Sequence, residues 1–444
     1  PQADLGSMLG NGRRMILIAP HVATLPGVVI LILVIGINLV GDGLRDVLDP
    51  YLSSGALVSP RAATEIDAGL AKRISSKRRE HGSNRGRRKQ APSAAQADLE
   101  RSAGSIDATA PGAKANGTSL LSIDDLRTWF WTGGEPVHAT DGVSLDIPKG
   151  TAVGVMGESG SGKSVTALSV VGLVPTPPGR IMEGSIRYDD RELLGASLEE
   201  LQFFRGNRIA YVFQNPMTAL NPLMPVGEQI AESIRKHQAL TNAEARTRAV
   251  QLMTSVHIPD APHRVGADPH ELAGGMRQRV VIAMALANDP DLIIADEPTT
   301  ALDVTIQAQI LQLFDELRRT RNVSLLFISH DFGVISQVCE KVIVMYAGQV
   351  VEAGTVKQIY REPLHPYTRR LMACVPRIGE RAREMDAIPG LPPALDALPG
   401  GCRFADRCDM AIDACRQEEV PLSAIGTREV RCIRASENDA GEQV

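Results

Sequence analysis

The sequence is poor in aromatic residues and has no excess of positive charge. Only 4% of its 444 residues are Phe, Trp or Tyr, and 47 Lys and Arg stand against 52 Asp and Glu, which gives a formal net charge of −5. A chain with this balance lacks the electrostatic footprint of a nucleic-acid-binding protein. The sequence also has no internal repeat and no heptad run, which argues against a solenoid array and a long coiled coil.

Charged residues are missing altogether from one long stretch. No Asp, Glu, Lys or Arg lies between Arg14 and Asp42, and residues 22–40 read VATLPGVVILILVIGINLV. A bilayer core of about 30 Å needs about 20 such residues in a helix, so we predict one transmembrane helix at about residues 22–41. A signal peptide is the competing interpretation, although only two arginines precede the stretch and no A-x-A-like cleavage site follows. A buried soluble helix is the other alternative. Because the first residue is Pro and not Met, we expect a fragment or a processed product.

Residues 51–118 have the composition of a linker. They are rich in Ala, Ser, Gly and charge, show no apolar period, and carry nine Lys or Arg between positions 72 and 89. Such a segment buries too little apolar surface to fold, so we predict a disordered basic linker. The basic run would suit anionic lipid headgroups; a solvated tail is the alternative.

Residues 119–375 alternate short β-like runs with helical ones. The β-like runs include 209–213, 292–295, 324–328 and 342–346. This alternation predicts an α/β domain around a largely parallel core sheet. Residues 376–444 are rich in Pro and Cys and have little periodicity, so we treat them as a separate C-terminal extension.

The run Gly-Glu-Ser-Gly-Ser-Gly-Lys-Ser at 157–164 matches the pattern G-x-x-x-x-G-K-[ST], in which backbone N–H groups wrap a phosphate chain. A β-compatible run precedes it and a helical run follows, so this phosphate loop would lie at a helix N-terminus, where the dipole favours anions. We expect Lys163 to reach the β- and γ-phosphates and Ser164 to place its hydroxyl on Mg2+. A chance Gly/Ser turn is the alternative. The residues predicted to bind ATP here are Gly157, Ser159, Gly160, Ser161, Gly162, Lys163, Ser164 and Val165.

A second motif is the apolar run Leu-Ile-Ile-Ala-Asp-Glu at 292–297, which ends in two carboxylates. A buried strand would bring Asp296 to the carboxyl edge of the sheet beside the phosphate loop, where it holds Mg2+ through water or Ser164. Glu297 is then placed to polarise a water for attack on the γ-phosphate. An apolar run before Asp-Glu is common by itself. Its place 133 residues after Lys163 and directly before PTTALD makes it specific.

With these motifs in this order, the sequence resembles the ATP-binding cassette (ABC) family. Gln214 in VFQNP matches the Q-loop glutamine, which in the family touches Mg2+ and water and senses the transmembrane partner. His330 in ISHD matches the switch histidine that contacts the γ-phosphate. Asp303 matches the D-loop aspartate at the dimer interface, and Phe130, with a tryptophan on either side, matches the aromatic residue that stacks on adenine. The resemblance implies a catalytic set of Glu297, His330 and Gln214, and Mg2+ held by Ser164, Gln214 and Asp296.

The run HELAGGMRQR at 270–279 matches the family signature L-S-G-G-x-x-[QR], but Ala273 stands at the serine position. In the family, the signature of one subunit closes over the phosphate loop of the other and binds the γ-phosphate. A lost hydrogen bond to a charged group costs roughly 1.5–3 kcal/mol, enough to slow closure about ten- to a hundredfold. We therefore expect an asymmetric dimer with a different ATPase chain; a tolerated substitution is the alternative. The residues assigned to a helical signature subdomain and the dimer interface are Leu272, Ala273, Gly274, Gly275, Met276 and Asp303.

Peripheral motifs narrow the resemblance to the dipeptide, oligopeptide and nickel importers of bacteria. The runs VFQNPMTALNP at 212–222, LHPYT at 364–368, PGLPP at 389–393 and GCRFADRC at 401–408 fit that branch. Residues 1–50 look like the end of a permease subunit of the same importers, fused through the linker to the ATPase. The resemblance implies an ATPase on the cytoplasmic face of the bacterial inner membrane. Its partners would be permease subunits, a second ABC ATPase and an extracytoplasmic solute-binding protein, with no nucleic acid.

Four of the six cysteines, Cys402, Cys408, Cys415 and Cys432, lie in the C-terminal extension with the spacing C-x5-C-x6-C-x16-C. Disulfides do not suit the reducing compartment of a cytoplasmic ATPase. Four thiolates in a short, Pro-rich segment suggest a metal or cluster that staples it. The family resemblance favours a [4Fe–4S] cluster. Structural zinc is the runner-up, although Cys-x2-Cys pairs are absent, and free thiols are the remaining alternative.

Three other functions stay open at this point. A non-transport ABC ATPase would act on ribosomes or DNA, but this sequence has one cassette and no coiled coil. An exporter cassette would not carry this C-terminal extension. A redox-regulated module would use the cysteines as a sensor. The sequence leaves the solute open among dipeptides, longer peptides, nickel chelates and glutathione.

Overall fold

The computed structural model describes residues 24, 25, 28, 29, 33, 34 and 36 near the N-terminus and the ranges 119–131, 133–300, 302–374 and 388–435. The seven N-terminal positions are helical and exposed. The predicted transmembrane helix at 22–41 lies mostly outside the described residues, as do the predicted permease fragment at 1–50 and the predicted linker at 51–118. Among the described residues, no helix is both long and apolar enough to cross a membrane.

The strands of the described ranges come in this order along the chain: β1 (Ser119–Phe130), β2 (Val137–Pro148), β3 (Ala152–Met156), β4 (Gly179–Tyr188), β5 (Arg191–Glu192), β6 (Ile209–Val212), β7 (Leu292–Asp296), β8 (Ser324–Ile328), β9 (Lys341–Tyr346), β10 (Gln349–Thr355), β11 (Ser423–Ile425) and β12 (Arg428–Val430).

The α-helices of the same ranges are α1 (Lys163–Val170), α2 (Leu198–Phe204), α3 (Pro216–Ala219), α4 (Val226–Arg235), α5 (Asn242–Ser255), α6 (Ala261–Arg264), α7 (Gly274–Ala285), α8 (Val304–Arg321), α9 (Phe332–Val338), α10 (Val356–Arg361), α11 (Pro366–Ala373) and α12 (Ala414–Gln417).

The strands form two sheets. An antiparallel sheet has the order β2-β1-β4-β5, and a mixed sheet has the order β11-β12-β10-β9-β3-β8-β7-β6. The centre of the mixed sheet is parallel, since β3 pairs in parallel with β8 and β9, and β7 with β6 and β8. The predicted α/β fold is confirmed, but the sheet is mixed rather than largely parallel. Ala347 and Gly348 both have positive φ and turn the chain back directly after β9, so β10 pairs with it antiparallel.

The core strands bury both of their faces. All five residues of β3, β7 and β8 are buried, which explains their continuous apolar sequences. Along β3, Val153 and Val155 pack toward the antiparallel sheet and α1, whereas Ala152 and Met156 belong to the larger core formed with the helices. Because every strand here is covered on both sides, its polar chemistry is confined to the strand ends.

A helical subdomain stands beside β6 and presents the predicted signature. Its helices α4, α5 and α7 pack on one another. Thr241 and Glu244 form a capping box that starts α5, each side chain accepting the backbone N–H of the other residue. The predicted signature run ends in α7, so its glycines lie at a helix N-terminus.

The C-terminal extension is part of the same folded unit. The hairpin of β11 and β12 adds to the edge of the mixed sheet by pairing β12 with β10. A backbone hydrogen bond of 3.0 Å from His138 on β2 to Leu395 ties a second part of the extension to the antiparallel sheet. The sequence predicted little regular structure in this segment and did not predict that it would complete the sheet.

Candidate functional site

The phosphate loop joins β3 to α1, and two of its glycines leave no room for a side chain. A Cβ at Gly157 would lie 2.2 Å from the carbonyl oxygen of Met345, and one at Gly162 would lie 2.3 Å from that of Ala139. Gly162 also has a φ of +97°, a conformation that favours glycine. The loop is therefore held between β2 and β9, with its backbone at the N-terminus of α1, where an anion is favoured.

Lys163 is the first residue of α1, and its side chain folds back over the loop. Its Nζ donates to the carbonyl oxygens of Gly157 and Glu158, both at 2.9 Å, and the side chain is buried. Burial lowers the pKa of the ammonium group, while the carboxylates of Glu297 and Asp296 raise it. The ammonium group is thus held inside the loop, where phosphate oxygens would become its partners.

Ser164 and Asp296 join the two predicted motifs directly. Ser164 Oγ donates to Asp296 Oδ1 at 2.9 Å, and Tyr211 on β6 donates its hydroxyl to Asp296 Oδ2 at 2.8 Å. Burial raises the pKa of Asp296, and the hydrogen bonds from Tyr211 and Ser164 lower it because they favour the carboxylate. Hydroxyl and carboxylate oxygens are ligands that Mg2+ prefers.

Glu297 has three polar neighbours around one carboxylate oxygen. Its Oε2 accepts hydrogen bonds from Gln214 Nε2 and Thr300 Oγ1, both at 2.9 Å, and lies 3.4 Å from His330 Nδ1. Its φ of +46° is rare outside glycine, and such strained positions cluster at functional sites. The structure therefore brings Glu297, Gln214 and His330 together at the end of β7.

Sequence reasoning missed Tyr211 and Thr300. Tyr211 lies three residues before Gln214, and the parallel pairing of β6 with β7 sets it opposite Ile294, close to the end of the acidic strand. Its position near the end of a β-like run was a usable signal, but a tyrosine there has no motif of its own. Thr300 belongs to the PTTALD run, which is specific by its place directly after Asp-Glu and gives no role to its hydroxyl groups.

The aromatic residues at the end of β1 occupy different faces of the strand. Thr128 Oγ1 lies 3.1 Å from Ser169 Oγ of α1, so this face of β1 meets the helix that follows the phosphate loop. Phe130 shares that face because side chains alternate along a strand. Trp129 instead stacks on His138, with ring centroids 4.1 Å apart. Of these two aromatic residues, Phe130 is the one on the side of the phosphate loop; its contact with adenine stays a prediction.

The predicted signature residues differ in what surrounds them. Ala273 occupies the N-cap of α7 without a side-chain capping bond, and both Ala273 and Gly274 are exposed. Gly275 packs on α8, because a Cβ there would lie 2.6 Å from Ile306 Cγ2. Gly274 has nothing within 4 Å of such an added carbon. One glycine therefore serves the packing of the subdomain, and the other offers an open surface.

The remaining residues assigned to the dimer interface lie close to this surface. Leu272 is buried and Met276 is half-buried. Asp303 is exposed and caps α8 by accepting the backbone N–H of Ile306 at 3.0 Å. Val304, the first residue of α8, is 83% exposed. The D-loop position thus combines a helix cap with an exposed apolar side chain.

The four cysteines predicted to bind a metal come together at one cavity. Together with His365 and Phe404, they line a small pocket that is partly open to solvent, and none is in a disulfide. Burial raises the pKa of Cys402 to about 11 and also raises the pKa values of Cys408 and Cys432. Among the described residues, however, no three His, Cys, Asp or Glu side chains have the geometry to hold a metal ion. The geometry therefore does not support the predicted cluster or zinc site.

The fold and the site define the class of this protein. A glycine loop leads from a central strand into a helix, its serine bonds to an aspartate at the end of a neighbouring strand, and a carboxylate follows that aspartate. This is the arrangement of a P-loop nucleotide hydrolase.

Comparison with known proteins gives the family. The ABC transporter family model matches residues 140–300, and the model for the oligopeptide/dipeptide transporter C-terminal region matches residues 351–415. The oligopeptide transport ATP-binding protein AppD of Bacillus subtilis is 47% identical over 324 residues, which cover 73% of this chain and 99% of AppD. The chain therefore belongs to the ABC transporter ATPases, in the oligopeptide and dipeptide transporter branch.

A second curated relative agrees with this assignment. The dipeptide transport ATP-binding protein DppD of Bacillus subtilis is 46% identical over 296 residues, covering 67% of this chain and 88% of DppD. A solved dimeric ATP-binding cassette with bound ADP and phosphate is 29% identical to this chain, with a TM-score of 0.49. The match covers 53% of this chain and 99% of the solved chain. The protein is an ATPase of a membrane transporter.

Proposed function

We propose that this chain hydrolyses ATP to drive the import of dipeptides, oligopeptides or related small solutes, such as nickel chelates or glutathione, across the bacterial inner membrane. The observation that carries the proposal is the contact of Ser164 with Asp296 beside Glu297, Gln214 and His330. The substrate class is supported by the family match of the C-terminal extension and by the names of AppD and DppD.

Hydrolysis uses groups that already lie together. The N–H groups of the phosphate loop and Lys163 bind the phosphates of ATP. Ser164 and Asp296 would hold Mg2+, which would neutralise charge on the phosphates. Glu297 exchanges its hydrogen bond from Gln214 for one from a water and takes the proton of that water as it attacks the γ-phosphorus. The bond between that phosphorus and the oxygen that bridges it to the β-phosphate breaks, and ADP leaves with that oxygen. His330 donates to a γ-phosphate oxygen.

The active assembly pairs this chain with a second ATPase subunit, and we propose that the partner is a different chain. The exposed N-terminus of α7 closes over the partner's phosphate loop with the N–H groups of Gly274 and Gly275. Ala273 offers no hydroxyl, so the ATP bound by the partner loses one hydrogen bond. The ATP bound by this chain is closed by the partner's signature, and the two sites are unequal.

The N-terminal region suits attachment to a permease. We propose that the apolar residues 22–41 are a membrane helix of a permease fragment at 1–50, and that the basic linker at 51–118 meets anionic headgroups on the cytoplasmic face. In this arrangement permease subunits carry the solute, and an extracytoplasmic binding protein delivers it. Limited proteolysis of membrane vesicles tests the attachment, because cleavage in the linker should release the ATPase domain. If alkali washes the uncleaved chain off the membrane, the attachment is contradicted.

For the C-terminal extension we propose a [4Fe–4S] cluster, with zinc as the runner-up, on the chemistry of its four thiols and not on their geometry in this structure. The thiols of Cys402, Cys408, Cys415 and Cys432 line the same space, none is in a disulfide, and thiolates are the ligands of such clusters. Either group would cross-link a short segment that has a small core of its own. A brown protein with absorbance near 400 nm would identify the cluster. A colourless protein with stoichiometric zinc would identify the metal instead, and a colourless protein without metal would leave free thiols.

The test of the ATPase proposal is Glu297→Gln in the assembled transporter. The variant keeps the phosphate loop and Lys163, so ATP binding should survive, and ATP-bound dimers should accumulate. Loss of the general base should lower hydrolysis by about 10²- to 10⁴-fold. ATP affinity is measured by equilibrium binding and turnover by phosphate release, with uptake of a labelled peptide as the transport readout. Normal hydrolysis by this variant would refute the role of Glu297.

A further inference from the structure

The C-terminal extension reaches into the phosphate loop through one ion pair. Arg407 lies between Cys402 and Cys408, and Glu158 is the second residue of the loop. Arg407 Nη1 donates to Glu158 Oε2 at 2.8 Å and Nη2 donates to Oε1 at 3.1 Å. The Arg407 side chain is only 6% exposed and that of Glu158 is 26% exposed. The pair is bidentate and mostly shielded from water, which is the geometry in which an arginine–carboxylate contact is strong and directional.

Arg407 is itself fixed in place by its other contacts. Its Nε donates to the carbonyl oxygen of Pro389 at 2.9 Å, and Nη1 also donates to the Tyr346 hydroxyl at 3.1 Å. Its guanidinium carbon lies 5.7 Å from the ring centroid of Tyr346 and 5.9 Å from that of Phe404. With its planar fork held on these sides, the guanidinium constrains where the Glu158 carboxylate lies.

A second contact holds the backbone of the same loop residue. The N–H of Glu158 donates to the hydroxyl of Tyr367 at 2.9 Å, and the ring of Tyr367 packs on those of Tyr346 and Phe404. The carbonyl oxygen of Glu158 in turn accepts from Lys163 Nζ. The side chain, N–H and carbonyl group of one loop residue are therefore all engaged, and only Lys163 belongs to the phosphate-binding set.

We propose that Arg407 is a positioning residue for the phosphate loop, through which the C-terminal extension sets the affinity of this ATPase for ATP. Glu158 does not need to touch the nucleotide. When its side chain and N–H are anchored, the loop is already ordered before the triphosphate arrives, so binding loses less conformational entropy. Lys163 also starts from a defined position over the loop. The inference rests on the proposed ATPase function.

The experiment uses the full chain in the assembled transporter and compares Arg407→Gln, Arg407→Lys, Glu158→Gln and the double variant Arg407→Gln/Glu158→Gln. We measure the dissociation constant of a fluorescent ATP analogue, KM and kcat for ATP, and the melting temperature. Arg407→Gln should raise the dissociation constant and KM by about tenfold and change kcat less than twofold. The dissociation constant and KM of Arg407→Lys should lie between those of the parent and Arg407→Gln, because lysine keeps the charge but not the bidentate contact. The double variant should bind ATP no more weakly than the weaker-binding of the two single Gln variants, because each single substitution already removes the same contact.

Arg416→Gln is the matched control. Arg416 also pairs with an aspartate of the extension, Asp406, but both side chains are exposed, at 51% and 83%. Its removal should leave the affinity for ATP unchanged. Glu158→Gln has nearly the same shape as the parent and keeps the inference testable if substitution of Arg407 prevents folding.

Two outcomes would overturn the inference. One is an ATP affinity within twofold of the parent in both Arg407→Gln and Glu158→Gln. The other is a lower melting temperature in these variants with unchanged KM, which would make the pair a purely structural contact. If the parent transporter does not hydrolyse ATP at all, the proposed function fails, whereas the binding constants of the variants still test the positioning role.

Discussion

The hydroxyl of Tyr211 donates a hydrogen bond of 2.8 Å to Oδ2 of Asp296, while Oδ1 of the same carboxylate accepts from Ser164. Both oxygens of a buried carboxylate are therefore engaged. Burial favours the neutral acid and the two donors favour the ionised form, so Tyr211 helps to keep the charge that a divalent cation needs.

Substitution Tyr211→Phe should make ATP hydrolysis more sensitive to acid. Removing a donor to the carboxylate raises the pKa of Asp296 further in the direction that burial already takes it. The acidic limb of the Mg2+-dependent ATPase profile should then move to higher pH, because the carboxylate that lost a donor takes up its proton more readily. Tyr188→Phe is the control, because Tyr188 makes a similar 2.8 Å bond to Asp291 outside the site. Coincident profiles for Tyr211→Phe and the parent would contradict the prediction.

Substitution Ala273→Ser should raise turnover of the assembled transporter. A serine at this N-cap would accept the N–H of a residue in the first turn of α7 and stabilise the helix by about 1 kcal/mol. It would also supply a hydroxyl to the partner's γ-phosphate, and turnover at that site should rise about tenfold. Ala273→Gly separates the two effects, since glycine also caps a helix but carries no hydroxyl. Equal turnover in all three proteins would speak against unequal sites.

The two signature glycines should respond differently to alanine. A Cβ at Gly275 would press on Ile306 Cγ2 at 2.6 Å, so Gly275→Ala should lower the free energy of unfolding by about 1–3 kcal/mol. Gly274→Ala meets open space and replaces a glycine inside a helix, so its stability should equal or exceed that of the parent. Urea unfolding of both variants measures the difference. Equal losses of stability would mean that Gly275 is not a packing residue.

Stability should fall as the pH drops below about 6.5 because of His365. Burial, with the charge of Arg431 adding to it, lowers the pKa of His365 to about 3. Between pH 6.5 and 3 the unfolded chain binds a proton that the folded chain does not, so each pH unit in this window removes about 1.4 kcal/mol. This contribution is fully present above the unfolded pKa.

Substitution His365→Asn should flatten this dependence. Its side-chain oxygen keeps an acceptor for the N–H of Tyr367, which His365 Nδ1 accepts at 3.0 Å, but it does not titrate. Unfolding in urea at pH 7.5, 6.5 and 5.5 measures the slope for the variant, the parent and the exposed control His263→Asn. A parent-like slope in His365→Asn would show that another group controls the dependence.

The phosphate loop and the acidic strand were predictable because the residues that define each of them are adjacent in the sequence. The pattern at 157–164 sets residue types at every position that must be glycine, lysine or serine, and a strand that ends in Asp-Glu delivers both carboxylates to one sheet edge. The 2.9 Å hydrogen bond between Ser164 and Asp296, which are 132 positions apart, followed from the rule that the carboxyl ends of parallel strands meet at one edge of the sheet. The mixed character of the sheet did not follow, since it depends on the turn after β9 and on a hairpin from the C-terminal extension.

By itself, the sequence determined the nucleotide chemistry of this protein, its place among the ABC ATPases of the peptide-importer branch, and the clustering of four cysteines in one segment. Only the tertiary structure decided that Tyr211 donates a hydrogen bond to Asp296 and that Gly275, not Gly274, packs on a neighbouring helix. It also decided that Arg407 pairs with Glu158 of the phosphate loop, 249 positions away. The reason is physical. A loop that wraps phosphate is specified by neighbouring backbone groups, whereas a hydrogen bond between distant side chains depends on how whole layers pack, which no short run of residues encodes.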